Sequence, residues 1–310
     1  MSVIIDLYHI LTSNLYVILY EIRQTGLCGL SARDKKPTGD FLMTAVTKDP
    51  YSGLQLIELS HEWGHGVPSY PGQADVKMFR GVKHAQHGVL AWKINTVMHT
   101  GTHMNAPLHL VQRAKDLAAI APDRLFGNGV VLGIAKASYG VITARDLESA
   151  TPSVQEGDVV VIVTGWHHKY SDGLEYYGES PGLSRDAADW LVAKKCRMVA
   201  VDTPQVDHPL ATSLAGHRGG PTMNRLVGAY KKATGLDPQK EHPHWNIAHK
   251  TILQADIPTI EQVGGDVDLL IGKRATFVAT PWKFVHGDAC PVRLVAMTDP
   301  DGTYRIPDGK

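Results

Sequence analysis

The sequence predicts an α/β fold, because short apolar β-rich runs recur along it with helix-terminus signals between several of them. The runs occupy residues 54–59, 91–97, 129–135, 159–164, 198–201, 276–279 and 292–297. Several of them, residues 159–164 among them, are apolar without alternation, the pattern of strands buried on both faces. The helices follow from their ends. Thr143, with Asp146 three residues on, makes a capping box. Ser184 caps a helix with Asp186 early and Lys194 and Lys195 late, charges that match the helix dipole. Residues 223–234 stop before Gly235, and Asn246 is placed to cap a helix running through Gln254 towards Pro258.

At 310 residues the chain can bury a large core, and 43% hydrophobic against 20% charged residues suits a soluble globular protein. Basic and acidic residues balance at 31 each, so there is no net positive charge to favour nucleic acid as a partner. No uncharged apolar run is long enough to span a membrane. Cys28, Cys196 and Cys290 are scattered and odd in number, which fits a reducing cytoplasm better than a disulfide framework. Residues 1–53 read as an extension and linker. Its first thirty or so residues are rich in Ile, Leu, Val and Tyr, but Asp6, His9, Glu21 and Arg23 interrupt them and no basic segment precedes them, unlike a signal peptide. The expectation is a helical extension packed on the body or on a second subunit, followed by one domain over residues 54–310.

The chemistry concentrates in residues 99–109, His-Thr-Gly-Thr-His-Met-Asn-Ala-Pro-Leu-His. Three imidazoles and a carboxamide in so short a stretch point to a metal such as zinc or manganese. Gly101 between two β-branched threonines disfavours a helix, so this is not a helical HExxH motif. In an extended strand His99 and His103 would lie roughly 13 Å apart, too far for one ion with bonds of about 2.0–2.2 Å. The chain must therefore bend, and Gly101 permits it. Pro107 then fixes the backbone ahead of His109. His249 and Glu261, twelve residues apart, are further candidate ligands.

Other positions carry weaker signals. Trp63, Tyr70 and Trp92 either line a pocket for an aromatic substrate or belong to the core. His61 and His65 either reach the site or face solvent. His167 and His168 follow a strand end, where exposure is the default. His242 and His244 are minor candidates as ligands, Asp202 and Asp207 more readily shape turns, and Arg218 or Arg225 is a candidate partner for a carboxylate product.

Residues 99–109 resemble the HxGTHxDxPxH signature of the cyclase family, to which bacterial kynurenine formamidase and isatin hydrolase belong. Supporting pieces occur in order: Glu58-Leu-Ser-His61, Tyr70-Pro-Gly72, Thr164-Gly-Trp166, Pro181-Gly-Leu-Ser184, Val201-Asp-Thr-Pro204 with Asp207, then His249 and Glu261. The resemblance implies an α/β body around a flattened β-barrel-like core, assembled as a homodimer or homotetramer. It implies that His99, His103 and residue 105 hold a divalent Mn²⁺ or Zn²⁺, that His249 and Glu261 complete that site or hold a second ion, and that His109 transfers protons.

The sequence departs from the signature at Asn105, where the family has Asp. A carboxamide offers one good oxygen and no charge, so two close cations would lose part of their neutralisation. A single-ion site is expected, with Glu261 as its carboxylate. Asn105 as a hydrogen-bonding group behind the ligands, or a weakened site, are the alternatives. The function expected is a metal-dependent amidohydrolase that cleaves a lactam or N-acyl bond in a small aromatic or cyclic substrate by activating water. A lyase or dehydratase-type cyclase, and a binding protein without turnover, are the rival readings. No GxSxG elbow supports a serine mechanism.

Overall fold

The computed structural model describes residues 46–215, 222–223 and 225–310. The expectations for residues 1–45 and for Arg218 lie outside the described residues.

Fourteen strands are present among the described residues: β1 (Val46–Lys48), β2 (Gln55–Glu58), β3 (Lys77–Val82), β4 (Ala91–Asn95), β5 (His103–Asn105), β6 (Phe126–Gly133), β7 (Val141–Ile142), β8 (Val159–Val163), β9 (Gly182–Leu183), β10 (Met198–Val201), β11 (Thr259–Glu261), β12 (Arg274–Ala279), β13 (Ala289–Pro291) and β14 (Leu294–Thr298). Ten of them form one mixed sheet in the order β1-β2-β14-β12-β6-β8-β10-β11-β5-β13. No continuous ladder closes this sheet among the described residues, although a single bridge joins Ser60, just past β2, to Val263, just past β11. β1 lies within the stretch read as linker and pairs antiparallel with β2.

The centre of the sheet is parallel, β6 with β8 and β8 with β10. Its side chains alternate between two cores, as the pleat requires. Val131, Val159, Val161, Val163, Met198 and Ala200 fill one core, and Val130, Leu132, Val160, Ile162, Val199 and Val201 the other. The second core is covered by the helices Arg185–Ala193 and Ile247–Gln254, through Ala187, Ala188, Leu191, Ala248 and Ile252. In the first core, Ile57 of β2 and Leu294 of β14 share a cluster with Met104 of β5 and Cys290 of β13, so the strands near both ends of the sheet meet in one apolar core.

All seven apolar runs form strands, but residues 91–97 are not buried. They supply β4, which pairs with β3 in a separate two-stranded hairpin, and every residue of β4 is exposed. Three of the four helix signals hold in detail. Thr143 accepts from Asp146 N and Asp146 reaches back to Thr143 N. Ser184 accepts from Ala187 N, and Gly235 ends the helix Leu226–Thr234 at φ +73°. The helix Ile247–Gln254 begins after Asn246, but the Asn246 side chain makes no cap hydrogen bond. The carboxylate of Asp207 does so from afar, accepting from Ala248 N at 2.8 Å and His249 N at 2.9 Å. No described helix is long and apolar enough to cross a membrane.

Candidate metal centre

The site begins at the bend. Gly101 has φ +63°, a left-handed conformation that side chains disfavour. A Cβ placed there would also lie 2.9 Å from Trp63 Cδ1, so the indole of Trp63 packs under the bend. The turn brings the rings of His99 and His103 to 5.3 Å between centroids. The chain then enters β5, whose His103 and Asn105 share one face. Across the ladder Thr259 stands opposite Asn105 and Glu261 opposite His103. Paired residues share a face, so all four project together.

The atoms of this face fit a cation. His103 Nδ1 donates to Gly101 O at 2.8 Å; a carbonyl can only accept, so in the neutral ring Nε2 carries the lone pair. That Nε2 is buried, has no hydrogen-bond partner, and lies 3.1 Å from Glu261 Oε2. A lone pair and a carboxylate oxygen at this distance repel unless positive charge sits between them. Asn105 Oδ1 is also buried without a partner, while Asn105 Nδ2 donates to Thr259 Oγ1 at 3.4 Å. His249 joins from its helix, with Nδ1 3.5 Å from Glu261 Oε1 and Nε2 2.7 Å from Thr259 Oγ1.

Electrostatics prepare these groups. Burial, above all, pushes His249 down to about 3, so its ring is neutral and has a lone pair free to ligate. Burial alone would raise Glu261; positive charge at His249 and His103 would outweigh it and hold the carboxyl well below the usual range, and with both rings neutral a bound cation would supply that charge. Glu261 Oε1 also accepts from Val206 N at 3.0 Å. Burial raises Asp207, the helix-capping carboxylate, to about 7.

On the rim, Asp288 ties two histidines together. Its Oδ2 lies 2.9 Å from His99 Nε2 and 3.3 Å from His109 Nδ1. The hydrogen bonds to His109 and His99 hold the Asp288 carboxyl well below its ordinary value. His109 sits on the short 3₁₀ turn Pro107–His109, its ring 4.3 Å from that of His99 and 5.5 Å from that of His249. Sequence reasoning missed Asp288, which belongs to none of the pieces quoted above. It reaches the site only because β13 pairs with β5, Ala289 opposite Asn105, and because Ala106 N donates to Asp288 O at 2.8 Å.

These side chains open on a cavity of about 290 Å³, lined by His99, His103, His109, His249 and Glu261 together with Tyr70 and Trp245. Trp245 had no signal in the sequence. Of the aromatic candidates, Tyr70 is in the wall, its hydroxyl 3.3 Å from Thr212 Oγ1. Trp63 lies under the bend, and Trp92 stands half exposed on the β3–β4 hairpin with Arg80 over its ring, away from the cavity wall. His61 stacks on Tyr170, and His65 Nδ1 accepts from Met78 N. His242 stacks on His208 in a second cavity, whose wall also includes His244.

An α/β sheet that presents imidazoles and a carboxylate on one buried face, beside a cavity, is the arrangement of a divalent-cation site. The putative cyclase family model matches residues 57–208. The kynurenine formamidase of Erythrobacter litoralis is 23% identical over 251 residues, 81% of this chain and 97% of that protein. The kynurenine formamidase of Bacillus cereus is 25% identical over 164 residues, 53% of this chain and 75% of that protein. Isatin hydrolase A from Ralstonia solanacearum superposes with a TM-score of 0.64 at 18% identity, over 80% of this chain and 94% of that one. Over residues 57–208 the chain is similar to the cyclase family, and both of these sequence relatives are kynurenine formamidases.

Proposed function

We propose that this enzyme is a metal-dependent hydrolase that cleaves a lactam or N-acyl amide bond in a small aromatic or cyclic substrate. The observation that carries the reading is the bare, buried Nε2 of His103 facing the ionised Glu261 at 3.1 Å, inside a cavity large enough for a small ring system. The names of the relatives, kynurenine formamidase and isatin hydrolase, support the choice of bond. His99, His103, Asn105, His249 and Glu261 are the ligands in this reading, for one Mn²⁺ or Zn²⁺. A bound divalent ion supplies Lewis acidity, acidifying water and polarising a carbonyl.

The protein's own groups do the rest. Asp288 is ionised and accepts from His109 Nδ1, which fixes the tautomer and leaves Nε2 to take and return a proton. Tyr70 and Trp245 supply apolar wall against which a ring can lie. Asn105 contributes a neutral oxygen where the family signature has a carboxylate, so Glu261 is the carboxylate of the buried face.

The test is turnover of a panel of aryl formamides and isatin-type lactams. Activity should vanish on treatment with a chelator and return with Mn²⁺ or Zn²⁺, and products should gain the mass of one water. Full activity after metal stripping, or a product lighter by one water, would overturn the reading.

A further inference from the structure

A second histidine cluster lies apart from the cavity, at the end of β8. There the 3₁₀ turn Trp166–Lys169 presents His167 and His168, and the turn Val267–Leu270 presents Asp268. Adjacent residues on such a turn ordinarily point well apart, yet these two imidazoles converge, with ring centroids 4.0 Å apart. Ligand atoms of His167, His168 and Asp268 all lie within 4.8 Å of one another.

His167 decides what the cluster holds. Its ring is buried, and Nδ1 lies 3.0 Å from Asp202 Oδ2. Asp202 already accepts from the backbone N–H groups of Thr164, Gly165 and Trp166 and from the Thr164 hydroxyl. A carboxylate so engaged is an acceptor, so His167 Nδ1 donates to it and the neutral ring bears its lone pair on Nε2. That Nε2 is buried and has no hydrogen-bond partner. Asp268 Oδ1 lies 3.3 Å from it and His168 Nε2 lies 3.1 Å from Asp268 Oδ2.

Two ligand atoms at tetrahedral angles around one ion, with bonds of about 2.0–2.1 Å, stand ~3.3–3.4 Å apart. The spacing of His167 and Asp268 is of that size. A carboxylate that takes one imidazole N–H while the other nitrogen is left bare is also the support that metal-bound histidines ordinarily have. We propose that His167, His168 and Asp268 bind a divalent transition ion of the zinc class, with a position left for water. The ion would clamp the end of β8 to the turn after β11. It would also steady Tyr170, whose hydroxyl approaches to 3.7 Å from the place a Cβ on Gly101 would occupy.

The test is ion stoichiometry after equilibrium dialysis of the whole chain against low-micromolar Zn²⁺. His168 and Asp268 are 63% and 48% exposed, so His168→Ala and Asp268→Asn should keep the native far-UV circular dichroism. Each should hold one ion fewer per chain than the wild type, and the same deficit should appear when His103→Ala is added to both proteins being compared. Equal counts in wild type and variants would overturn the proposal. If either variant unfolds, an anomalous difference map of zinc-soaked wild-type crystals decides: a peak among the three side chains supports the site, and its absence overturns it.

Discussion

The centre of the sheet and its far end are built on opposite rules. β6, β8 and β10 are apolar on both faces, parallel, and sealed between two cores. β11, β5 and β13 are three residues each, paired antiparallel across β5, and they carry or adjoin His103, Asn105, Thr259, Glu261 and Asp288. The contrast separates stability from chemistry. The long strands supply burial, and the short ones hold polar groups at fixed spacing against that rigid block. Polar groups at the end of the sheet cost desolvation, which the block offsets.

The first way to break this division is His109→Ala. The proton-transfer role predicts a loss of roughly 10²–10⁴ in kcat. The unfolding free energy from urea denaturation should hold within about 0.5 kcal/mol, since His109 is not in either core. A variant that lost stability but kept its rate would place His109 on the structural side. The converse substitution, Ile162→Ala, empties a fully buried position in the second core. It should cost about 2–5 kcal/mol in urea denaturation while turnover per folded molecule stays near wild type.

A smaller effect concerns pH. His208 accepts from Leu210 N through Nδ1 and contacts Tyr139 O through Nε2, so both nitrogens are committed in the neutral ring. Burial first, and then His242, lower it to about 3. Between about 3 and the ordinary histidine value near 6.5, the unfolded chain binds a proton that the folded chain refuses. Stability should therefore fall as pH drops through that window, by at most ~1.4 kcal/mol per pH unit from this residue. His208→Asn should flatten the slope of stability against pH there, and an unchanged slope would remove His208 from the acid response.

Much of the architecture was legible because the long strands write it in apolar runs, as in residues 159–164, and because Thr143, Ser184 and Gly235 mark helix ends by local chemistry. The bend at Gly101 was legible from distance alone, since two imidazoles on a straight strand cannot share an ion. What stayed hidden depends on pairing between distant segments. β5 reads His-Met-Asn and has no period to detect. Asp288 belongs to the site only through the register of β13 on β5, and Asp207 caps a helix 41 residues away. The β3–β4 hairpin misled for the opposite reason: Trp92 and Ile94 carry strand propensity, but no second layer among the described residues covers them.

His99 and Asp288, set side by side by the β5–β13 ladder, are 189 residues apart along the chain. Every segment through Asp288 must therefore be made before this contact can form, and closing so long a loop precedes any reward from the contacts it makes. A cation held between His103 and Glu261 would in turn wait on the pairing of β5 with β11.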